Sequence, residues 1–575
     1  MEEHFDVVVV GSGFGASAAA CRLAQAGRSV LVLERGRSYP PGSFPRSPRG
    51  LAANLWAPSS GLYGMFDVWA FSGIESVVSS GLGGGSLIYA NVMLRKDPAW
   101  FVDDAPDQPP RPWPVSYADL EPYYEAAEAM MGVQRYPFDV APYSATAKSR
   151  ATRDAAKTLG LDWMLPPLAV SFASPGQPPV PGQLLAEEHP NLHGKQRLTC
   201  RLCGECDLGC NDGAKNTLDY TYLSRAHDAG AVIRTLCEVR RIDRDTASGQ
   251  YRIGYTDRNT TSPDASPDAS PDVSRPGVSP GPGVEVTVTA DRLVIGAGTF
   301  GSTFLLLRNR AAFPSLGPAL GTRFSGNGDL LTFLLHSRRT EADVEGPRDL
   351  DPEFGPVITS AIRMPDTLDG HGPVGRGFYI EDGGNPAFLD WLVQATDGPG
   401  TTARVARFAA QRVWAHLRSR PRSNISDNIS GLLGGGAASA GTMPVLAMGR
   451  DIPNGTFRLR DGNLDLNWAT KDSSGYFDRV EATMQQLADV LQARLANTPL
   501  WLFKRVITVH PLGGVPMGAD PGHGVVDGWG ESFAYPGLHV VDGSVMPGPV
   551  GPNPSLTIAA FAERAAAHIL GEDRP

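Results

Sequence analysis

A short stretch near the amino terminus, "GSGFGAS", holds glycines at a spacing that suits the binding of phosphate groups. Gly11, Gly13 and Gly15 allow the backbone to turn tightly and to approach a pyrophosphate closely. Ala16 occupies the place where a third glycine of this pattern usually stands. Glu34 follows about 20 residues later, where a carboxylate accepts hydrogen bonds from a ribose 2′-hydroxyl and repels a 2′-phosphate. These residues predict a dinucleotide-binding site.

The elements around these glycines form the pattern that positions such a site. Residues 5–10 are an apolar run that predicts a buried strand, and residues 29–33 predict a second strand. Between them, residues 17–26 carry small side chains that allow a helix to pack closely. A strand, turn, helix and strand in this order predict a βαβ unit whose helix N-terminus faces the pyrophosphate.

Further glycine turns recur along the chain and favour one long, extended dinucleotide over a nicotinamide cofactor that binds and leaves. The segment "VVSSGLGGGSLIYANVM" at 77–93 is a second glycine-rich loop, and "DRLVIGAGTFGSTFLLLRN" at 291–309 is a further strand, turn and helix. The carboxyl-terminal segment adds a strand, an Asn-Pro turn and a closing helix. The predicted cofactor contacts in the second and third turns are Gly83, Gly84, Gly85, Ser86, Gly296 and Gly298.

Length and charge exclude several classes of protein. The 575 residues are too many for one simple domain, so we expect two closely packed domains. The net charge of -10, without a long basic run, argues against a nucleic-acid partner. No segment approaches the roughly 20 apolar residues of a membrane span, and the acidic start leaves no room for a secretory signal, which predicts a cytoplasmic protein.

The motifs "GLGGGSL", "GAKNTLDYTYL", "VHPLGG" and "VDGSVMPGPVGPNPSLTIAAFAER" resemble those of the glucose–methanol–choline (GMC) oxidoreductases, and within them the bacterial cholesterol oxidase branch. The resemblance covers most of the chain. It implies an α/β fold, with a Rossmann-type FAD-binding domain and an inserted α+β substrate-binding domain. The implied FAD-binding segments are 1–50, 72–95, 200–325 and 505–575, and the implied substrate-binding segments are 51–71, 96–199 and 326–504.

The resemblance also implies how FAD binds. Asp542 should lie near the ribityl–pyrophosphate stretch, and the final helix should point its N-terminus at the pyrimidine edge of the flavin, where reduced flavin carries negative charge. Some relatives attach FAD through a histidine near the second glycine loop; none of the eleven histidines lies there, so we expect non-covalent FAD. The remaining implied contacts are Asn91, Val239, Gly543, Asn553, Pro554 and Ser555.

The reaction of this family is alcohol oxidation, in which a base removes the hydroxyl proton while the carbinol hydride moves to flavin N5. His510 in "VHPLGG" and Asn553 in "GPNPS" match the catalytic pair of the family. Histidine is suited to the base because its pKa lies near neutrality. Glu381 stands where cholesterol oxidases keep a carboxylate that moves a proton during 5-ene to 4-ene isomerisation; the alternative is a surface acid at the end of a strand. "IYANV" replaces a short Asn-Gly-Gly run of those enzymes, so Tyr89 or Asn91 must replace its Asn near the flavin.

The expected substrate is a sterol-like or other hydrophobic alcohol, and the expected electron acceptor is O2. The segment 51–71, rich in apolar side chains, is either a lid over an apolar cavity or a packed loop near the flavin. The segment 401–422 combines arginines with aromatic residues and suggests transient contact with a membrane surface, or else a half-buried surface helix. Alternative functions are a dehydrogenase that passes electrons to a quinone or protein, and a flavin-binding protein of this fold without turnover.

Four cysteines in "CRLCGECDLGC" have the C-x2-C-x2-C-x3-C spacing of bacterial ferredoxins. Some FAD-dependent glucose dehydrogenases of the resembled family carry an iron–sulphur cluster on a related segment, which keeps a cluster possible. Asn211 replaces the proline of ferredoxins, and successive two-residue gaps make tetrahedral zinc awkward. We therefore expect a reduced, packed turn without metal. The candidate cluster ligands are Cys200, Cys203, Cys206 and Cys210.

Three further segments complete the predicted organisation. The Pro/Ser/Asp-rich stretch at 258–283 predicts a disordered loop between two paired strands, because it cannot bury enough apolar surface to offset the loss of chain entropy. The Gly-rich stretch at 430–441 predicts a flexible connector. The apolar spacing of residues 478–495 predicts an amphipathic helix across the substrate-binding domain.

Overall fold

The computed structural model describes residues 3–105, 109–259, 283–341, 344–370, 372–384 and 441–572. The predicted loop at 258–283 and the predicted connector at 430–441 lie almost entirely outside these ranges, and the segment 401–422 lies wholly outside them. Within the described ranges no helix is long and apolar enough to cross a lipid bilayer.

A seven-stranded sheet contains both strands of the predicted βαβ unit. Its central parallel strands end in buried apolar runs at residues 7–10 and 293–295, and the strand Val30–Leu33 is buried at every position, as expected for parallel strands covered on both faces. Leu538–Val540 pairs parallel with Val284–Ile295 as a branch of this sheet. The other six strands, in spatial order with Val284–Ile295 fourth, are Val232–Arg234, Val30–Leu33, Glu3–Val10, Val284–Ile295, Tyr251–Asp257 and Cys237–Arg244.

The register of the parallel strands brings distant segments to one edge of this sheet. Val10 lies opposite both Leu33 and Ile295, and Ile295 lies opposite Val540. The carboxyl ends of these four strands therefore coincide. Ligands of open α/β sheets bind outside such an edge, so the residues that follow each strand are placed to contact one ligand.

The helices follow from small-residue and apolar patterning. The helix Phe14–Gln25 buries its alanines and packs against the helices Tyr222–Asp228 and Ser555–Leu570. The predicted helix at 478–495 is displaced: it spans Ser474–Val490, because Gln492 takes a left-handed backbone conformation and the strand Arg494–Asn497 follows. The other α-helices of the described residues are Pro48–Ala53, Tyr117–Met130, Ala147–Leu159 and Gly298–Arg308.

A second, antiparallel sheet of six strands forms the other large layer. Glu381 lies on the third strand, Phe378–Asp382, which has partners on both sides and is buried along its whole length. A surface position for Glu381 is therefore wrong, because the strand on which it lies is internal to the sheet. The strands in spatial order are Asp162–Met164, Ala361–Met364, Phe378–Asp382, Met443–Gly449, Leu330–Leu335 and Arg494–Asn497.

A three-stranded sheet lies beside these two and precedes His510. Val506–Thr508 pairs parallel with Ile74–Ser79, which pairs antiparallel with Phe66–Ala70. Three paired strands, Trp56–Ala57, Leu62–Tyr63 and Phe66–Ala70, lie within the segment 51–71, which favours the packed-loop interpretation. Two-stranded pairs complete the described residues: Trp56–Ala57 with Leu62–Tyr63, Val102–Asp103 with Arg111–Pro112, Gln134–Arg135 with Pro167–Leu168, Arg338–Glu341 with Val344–Pro347, and Thr456–Arg460 with Asn463–Asn467.

The strands of the two large sheets come from different parts of the chain. Every strand of the seven-stranded sheet falls within the segments predicted to bind FAD, and every strand of the six-stranded sheet falls within the segments predicted to bind substrate. The predicted pairing of 251–257 with the strand after the 258–283 loop is also observed. The boundaries between the two domains remain a prediction.

Candidate active site

The first and third glycine turns touch each other at the edge of the parallel strands. Gly11 has φ +95, and a Cβ on it would lie 2.5 Å from the carbonyl oxygen of Gly296. A Cβ on Gly296 would in turn lie 2.6 Å from the Cβ of Ala16. Glycine is required at both positions because no side chain fits between the two turns.

The start of the helix Phe14–Gln25 lies directly against the carboxyl-terminal segment. A Cβ on Gly15 would lie 1.8 Å from the carbonyl oxygen of Val541. A contact of Gly15 with the cofactor stays a prediction, whereas the close approach to Val541 is a separate reason for glycine at this position. This approach to Val541 brings the N-terminus of the helix Phe14–Gln25 close to Asp542.

The second glycine loop packs onto the first. Gly83 and Gly84 both have positive φ, and a Cβ on Gly84 would lie 2.7 Å from the Cα of Gly13. A Cβ on Gly85 would meet no protein atom within 4 Å, so Gly85 faces open space. The Ser86 hydroxyl is engaged within the chain: it donates to Gly83 O at 2.7 Å and accepts from a backbone N–H at 3.0 Å.

Glu34 ties the first two glycine turns together. Its carboxylate accepts hydrogen bonds from the Ser12 hydroxyl at 2.6 Å and from the Gly36 N–H at 2.7 Å. The Ser12 hydroxyl also accepts from the Gly83 N–H at 3.0 Å. Burial raises the pKa of Glu34, while these hydrogen bonds lower it. A carboxylate has about four acceptor positions, so Glu34 keeps capacity for the hydroxyls of a ribose.

Asp542 organises the third turn and its own carboxyl-terminal loop. It accepts hydrogen bonds from the Gly298 N–H at 2.8 Å and from the Ser302 hydroxyl. It also accepts from the N–H and the hydroxyl of Ser544, the residue after Gly543. Burial is the main reason why the pKa of Asp542 is raised. The side chain therefore fixes the backbone of two loops that face the predicted cofactor site.

The closing helix offers a free N-terminus. The helix Ser555–Leu570 is preceded by Pro554, and no side chain caps its first turn. Its dipole and unpaired N–H groups favour a negatively charged ligand group. Asn553 lies immediately before this end and is 6% exposed. Val239, the remaining predicted contact, is half-buried on the strand Cys237–Arg244 and packs against the main core.

Asn91 gives the clearest sign that a ligand belongs beside the second glycine loop. It is fully buried with φ +71, and neither its side-chain nitrogen nor its side-chain oxygen has a partner among the described residues. Burying an amide without a hydrogen bond costs about 1–3 kcal/mol, so the site fits a cofactor that supplies the missing partners. Tyr89 differs, because its hydroxyl donates to Asn216 O at 2.8 Å. Of the two candidates, Asn91 is therefore the one available to a flavin.

His510 is held by a buried carboxylate. Its Nδ1 lies 2.9 Å and 3.1 Å from the two carboxylate oxygens of Asp329. The same carboxylate accepts from the Val509 N–H at 2.9 Å and contacts the Thr508 hydroxyl at 2.9 Å. A carboxylate partner requires a proton on Nδ1, which leaves Nε2 as the acceptor nitrogen. The His510 side chain is 13% exposed, so it remains reachable from solvent.

Asn553 and Glu381, predicted separately, are in contact. The Asn553 Nδ2 donates to Glu381 Oε2 at 3.4 Å, and neither Glu381 Oε1 nor Asn553 Oδ1 has a partner among the described residues. The pKa of Glu381 is raised to about 8, mainly by burial; the Asn553 hydrogen bond opposes this rise, and the charges of Asp382 and Asp329 add to it. The carboxyl group is therefore mainly neutral at pH 7. Two buried oxygens of the described residues therefore keep capacity for a further hydrogen-bond partner.

Asp329 and Asn327 are functional candidates that the sequence reasoning missed. Asp329 holds His510, and Asn327 binds the Gly551–Pro552 backbone just before Asn553. The only sequence signal is "SGNGD", which reads as an ordinary turn between two apolar segments.

The four cysteines form part of a packed turn. Cys200 is buried in a hydrophobic cluster, and Cys206 and Cys210 pack against it. Burial raises the pKa of Cys203 to about 12. Among the described residues no group of three or more His, Cys, Asp or Glu side chains is arranged to hold a metal ion. The Lys215 ammonium donates to Cys206 O at 2.8 Å and to Leu87 O at 3.0 Å, which joins the turn to the second glycine loop.

Comparison with known proteins agrees with this geometry. A family model described as GMC oxidoreductase matches residues 465–562, and one described as NAD(P)-binding Rossmann-like domain matches residues 9–43. A cholesterol oxidase of Mycobacterium tuberculosis (strain CDC 1551 / Oshkosh) is 30% identical over 98% of this chain and 91% of its own length. The chain is a GMC oxidoreductase. A cholesterol oxidase of Acinetobacter baumannii is 26% identical over 98% of this chain and 94% of its own length.

The fold of this GMC oxidoreductase is also found among solved structures. The crystal structure of pyridoxine 4-oxidase from Mesorbium loti matches with a TM-score of 0.58 and 18% identity, over 99% of this chain and 100% of that one. The predicted family, its Rossmann-type fold, FAD as cofactor and an oxidoreductase acting on alcohols are thereby confirmed. The attachment of the flavin, the substrate and the electron acceptor remain predictions.

Proposed function

We propose that this GMC oxidoreductase oxidises the secondary hydroxyl of a sterol-like or other hydrophobic alcohol to a ketone, with non-covalent FAD and with O2 as the acceptor. The observation that carries this proposal is the contact of Asn553 with a buried, mainly neutral Glu381, together with His510, whose Nδ1 is held by Asp329 so that Nε2 is the acceptor nitrogen. The 30% identity with a cholesterol oxidase supports the substrate class.

Bound FAD supplies a hydride acceptor at flavin N5, and the protein supplies groups that handle the hydroxyl proton. His510 accepts this proton at Nε2, because Asp329 keeps Nδ1 protonated and stabilises the imidazolium that forms. Asn553 donates a hydrogen bond to the substrate oxygen without itself titrating. The N-terminus of the closing helix, Ser555–Leu570, would stabilise the negative charge of the reduced flavin.

The surroundings of Glu381 favour an apolar substrate. Its neighbours on the two adjacent strands are Ala361 and Leu446. The additional hydroxyl groups of a polar substrate would find no hydrogen-bond partner at these apolar side chains. Each unpaired hydroxyl would cost about 1–3 kcal/mol of binding free energy. A hydrophobic alcohol needs partners only for its reacting oxygen, which His510 and Asn553 provide.

We further propose that Glu381 moves a proton when the substrate is a 5-ene steroid. A carboxyl group with a pKa of about 8 is a strong base once ionised and an available acid once protonated. Because the ionised form removes the proton, the isomerisation rate should rise with pH up to about 8.

Product analysis of Glu381→Gln with a 5-ene-3β-hydroxysteroid tests this role. The variant should still reduce its flavin but accumulate the unconjugated ketone, whereas the wild type releases the conjugated 4-ene-3-one. Glu345→Gln is the matched control: it makes the same substitution at an exposed strand position, where Glu345 pairs with Arg338, and should leave the product ratio unchanged. Fully conjugated ketone from Glu381→Gln would remove Glu381 from the mechanism.

A further inference from the structure

One five-residue segment, Ser325–Asp329, reaches the supports of both predicted catalytic groups. Asp329 binds His510 directly, and Asn327 binds the backbone of Gly551 and Pro552, immediately before Asn553. The segment precedes the strand Leu330–Leu335 of the six-stranded sheet. It is called here the clasp.

Asp329 forms the His510 half of the clasp. Its carboxylate is 1% exposed and lies within 3.1 Å of Nδ1 through both oxygens. Hydrogen bonds to the Val509 N–H and the Thr508 hydroxyl prevent it from rotating away. The carboxylate therefore fixes both the orientation and the tautomer of the imidazole.

Asn327 forms the Asn553 half. Its Oδ1 accepts from the Gly551 N–H at 2.9 Å, and its Nδ2 lies 3.2 Å from Gly551 O and 3.1 Å from Pro552 O. An amide side chain suits these contacts because its oxygen accepts while its nitrogen offers two N–H donors. Asn327 has φ +52, a conformation that asparagine tolerates better than most residues. Asn327 therefore binds the turn before Asn553 through a backbone N–H group and through two backbone carbonyl oxygens.

Buried side chains outside the clasp hold its remaining residues by hydrogen bonds. Asp451 accepts from the Gly326 N–H at 3.0 Å and from the Ser325 hydroxyl. The Tyr476 hydroxyl donates to Gly328 O at 2.9 Å, and a Cβ on Gly328 would lie 2.4 Å from that hydroxyl oxygen. All of these side chains are buried.

The turn before Asn553 is also backed from the other side. A Cβ on Gly551 would lie 2.4 Å from the indole of Trp100, and a Cβ on Gly377 would lie 2.3 Å from the same ring. Gly377 immediately precedes the strand that carries Glu381. The turn is therefore confined between Trp100 and Asn327, so a substitution at Asn327 should displace Asn553.

We propose that the clasp sets the relative geometry of the catalytic pair, with Asp329 as the positioning residue of His510 and Asn327 as the positioning residue of Asn553. The proposal rests on the proposed function, because it assigns these two residues to the reaction of that site. A base and a hydrogen-bond donor that act on one hydroxyl must keep a fixed separation, and a displacement of about 1 Å can cost about 100-fold in rate.

Double-mutant cycles test the two halves separately. Asp329→Asn and Asn327→Ala should each lower the limiting rate of anaerobic flavin reduction about 10- to 100-fold, with unchanged FAD content. In a His510→Ala background, Asp329→Asn should cause no further loss beyond about 2-fold, and Asn327→Ala should likewise add nothing to Asn553→Ala. If the second substitution lowered the rate as much in these backgrounds as it does in the wild type, it would act through the fold, and the proposal would be overturned.

Asp520→Asn is the matched control, because Asp520 binds Nδ1 of the exposed His523 at 2.8 Å, as Asp329 binds His510. This control should leave the rate unchanged. Asp329→Glu, which keeps the charge but moves it by one methylene, repeats the cycle if Asp329→Asn does not fold. A wild-type rate in a folded Asp329→Glu or Asp329→Asn variant would overturn the role of Asp329.

A readout without turnover separates this proposal from the proposed function. In ¹⁵N-histidine NMR, the His510 signal, assigned by its loss in His510→Ala, should show the proton on Nδ1. In Asp329→Asn this tautomer should lose its dominance. An unchanged tautomer would contradict the proposal. If no alcohol reduced the wild-type flavin, the proposed function would fail while the NMR result still decided the role of Asp329.

Discussion

His510 and Asn553 share the handling of one hydroxyl group, so each should be needed for the reductive half-reaction. His510→Ala and Asn553→Ala should lower the limiting rate of flavin reduction about 100-fold or more while FAD stays bound. Stopped-flow absorbance under anaerobic conditions measures this rate. His523→Ala is the control, since His523 makes the same Nδ1–carboxylate contact at an exposed site. Near-normal reduction in both active-site variants would show that the pair is wrongly assigned.

Glu381 should also affect the pH dependence of stability. Burial raises its pKa from 4.5 to about 8, so between these values the folded protein binds more protons here than the unfolded chain. The contribution of Glu381 to the free energy of unfolding therefore falls as pH rises from about 4.5 to about 8, and no further above that. Glu381→Gln removes this titration.

The difference in Tm between Glu381→Gln and the wild type should accordingly shift in favour of the variant as pH rises through this range. Thermal unfolding followed by circular dichroism at several pH values measures the difference. A constant difference would mean that Glu381 titrates at its ordinary pKa in the folded protein.

Individual residues were predictable from sequence where their chemistry depends on local spacing. Gly11, Gly13 and Glu34 belong to one short βαβ unit, and the structure places them together. Asp329 was missed because its contact with His510 joins residues 181 positions apart, and the Asn327 contact with Gly551 spans 224. No periodicity connects such residues, since only the pairing of the sheets brings them together.

At the scale of elements, the start of the helix Phe14–Gln25 is the most constrained junction of the nucleotide site. Gly15→Ala would place a methyl group 1.8 Å from the carbonyl oxygen of Val541, so helix and carboxyl-terminal segment must separate. We expect a loss of about 1–3 kcal/mol or more in the free energy of unfolding, together with loss of FAD. Denaturant unfolding and flavin absorbance of the purified variant measure both.

Gly475→Ala is the matched control for this prediction. Gly475 is the second residue of the helix Ser474–Val490, as Gly15 is of its own helix, but a Cβ there meets no atom within 4 Å. The Gly475→Ala variant should retain FAD. It should unfold at the same denaturant concentration as the wild type or at a slightly higher one. Similar behaviour of the two variants would contradict the close packing at Gly15.

The cysteine turn yields a prediction of composition. Cys200 packs into a hydrophobic cluster, and the Asn211 side chain accepts a hydrogen bond from the Phe44 N–H and donates one to the Phe44 carbonyl oxygen. We therefore expect no stoichiometric iron or sulphide in anaerobically purified protein. About four irons per chain, with a broad visible band that survives flavin bleaching, would instead indicate an electron-relaying dehydrogenase.

Element boundaries were less predictable than element types. The amphipathic pattern at 478–495 identified a helix, but the helix ends at Val490, where the chain turns to form the edge strand Arg494–Asn497. Pairing with Leu330–Leu335 stabilises that strand, and this partner lies far away in sequence. Helical periodicity could not reveal such a competing tertiary contact.

At the scale of the whole molecule, each predicted catalytic group comes from a different part of the fold. Glu381 lies on the six-stranded sheet, His510 follows the strand Val506–Thr508 of the three-stranded sheet, and Asn553 precedes the closing helix. Family motifs predicted the members of this site, whereas its geometry depends on how the sheets pack. The site is therefore a property of the assembled chain.

Oxidation of a hydrophobic alcohol by the bound flavin can be followed by anaerobic titration of the purified protein. The titrants are a panel of sterols, long-chain alcohols and sugars, and oxygen is admitted afterwards. Denaturation of the same protein should release intact FAD, since the flavin is proposed to be non-covalent. Sterols or other hydrophobic alcohols should bleach the flavin absorbance, sugars should not, and oxygen should restore the colour. A protein that cannot take up FAD, or a flavin that no hydrophobic alcohol reduces, would contradict the proposed function.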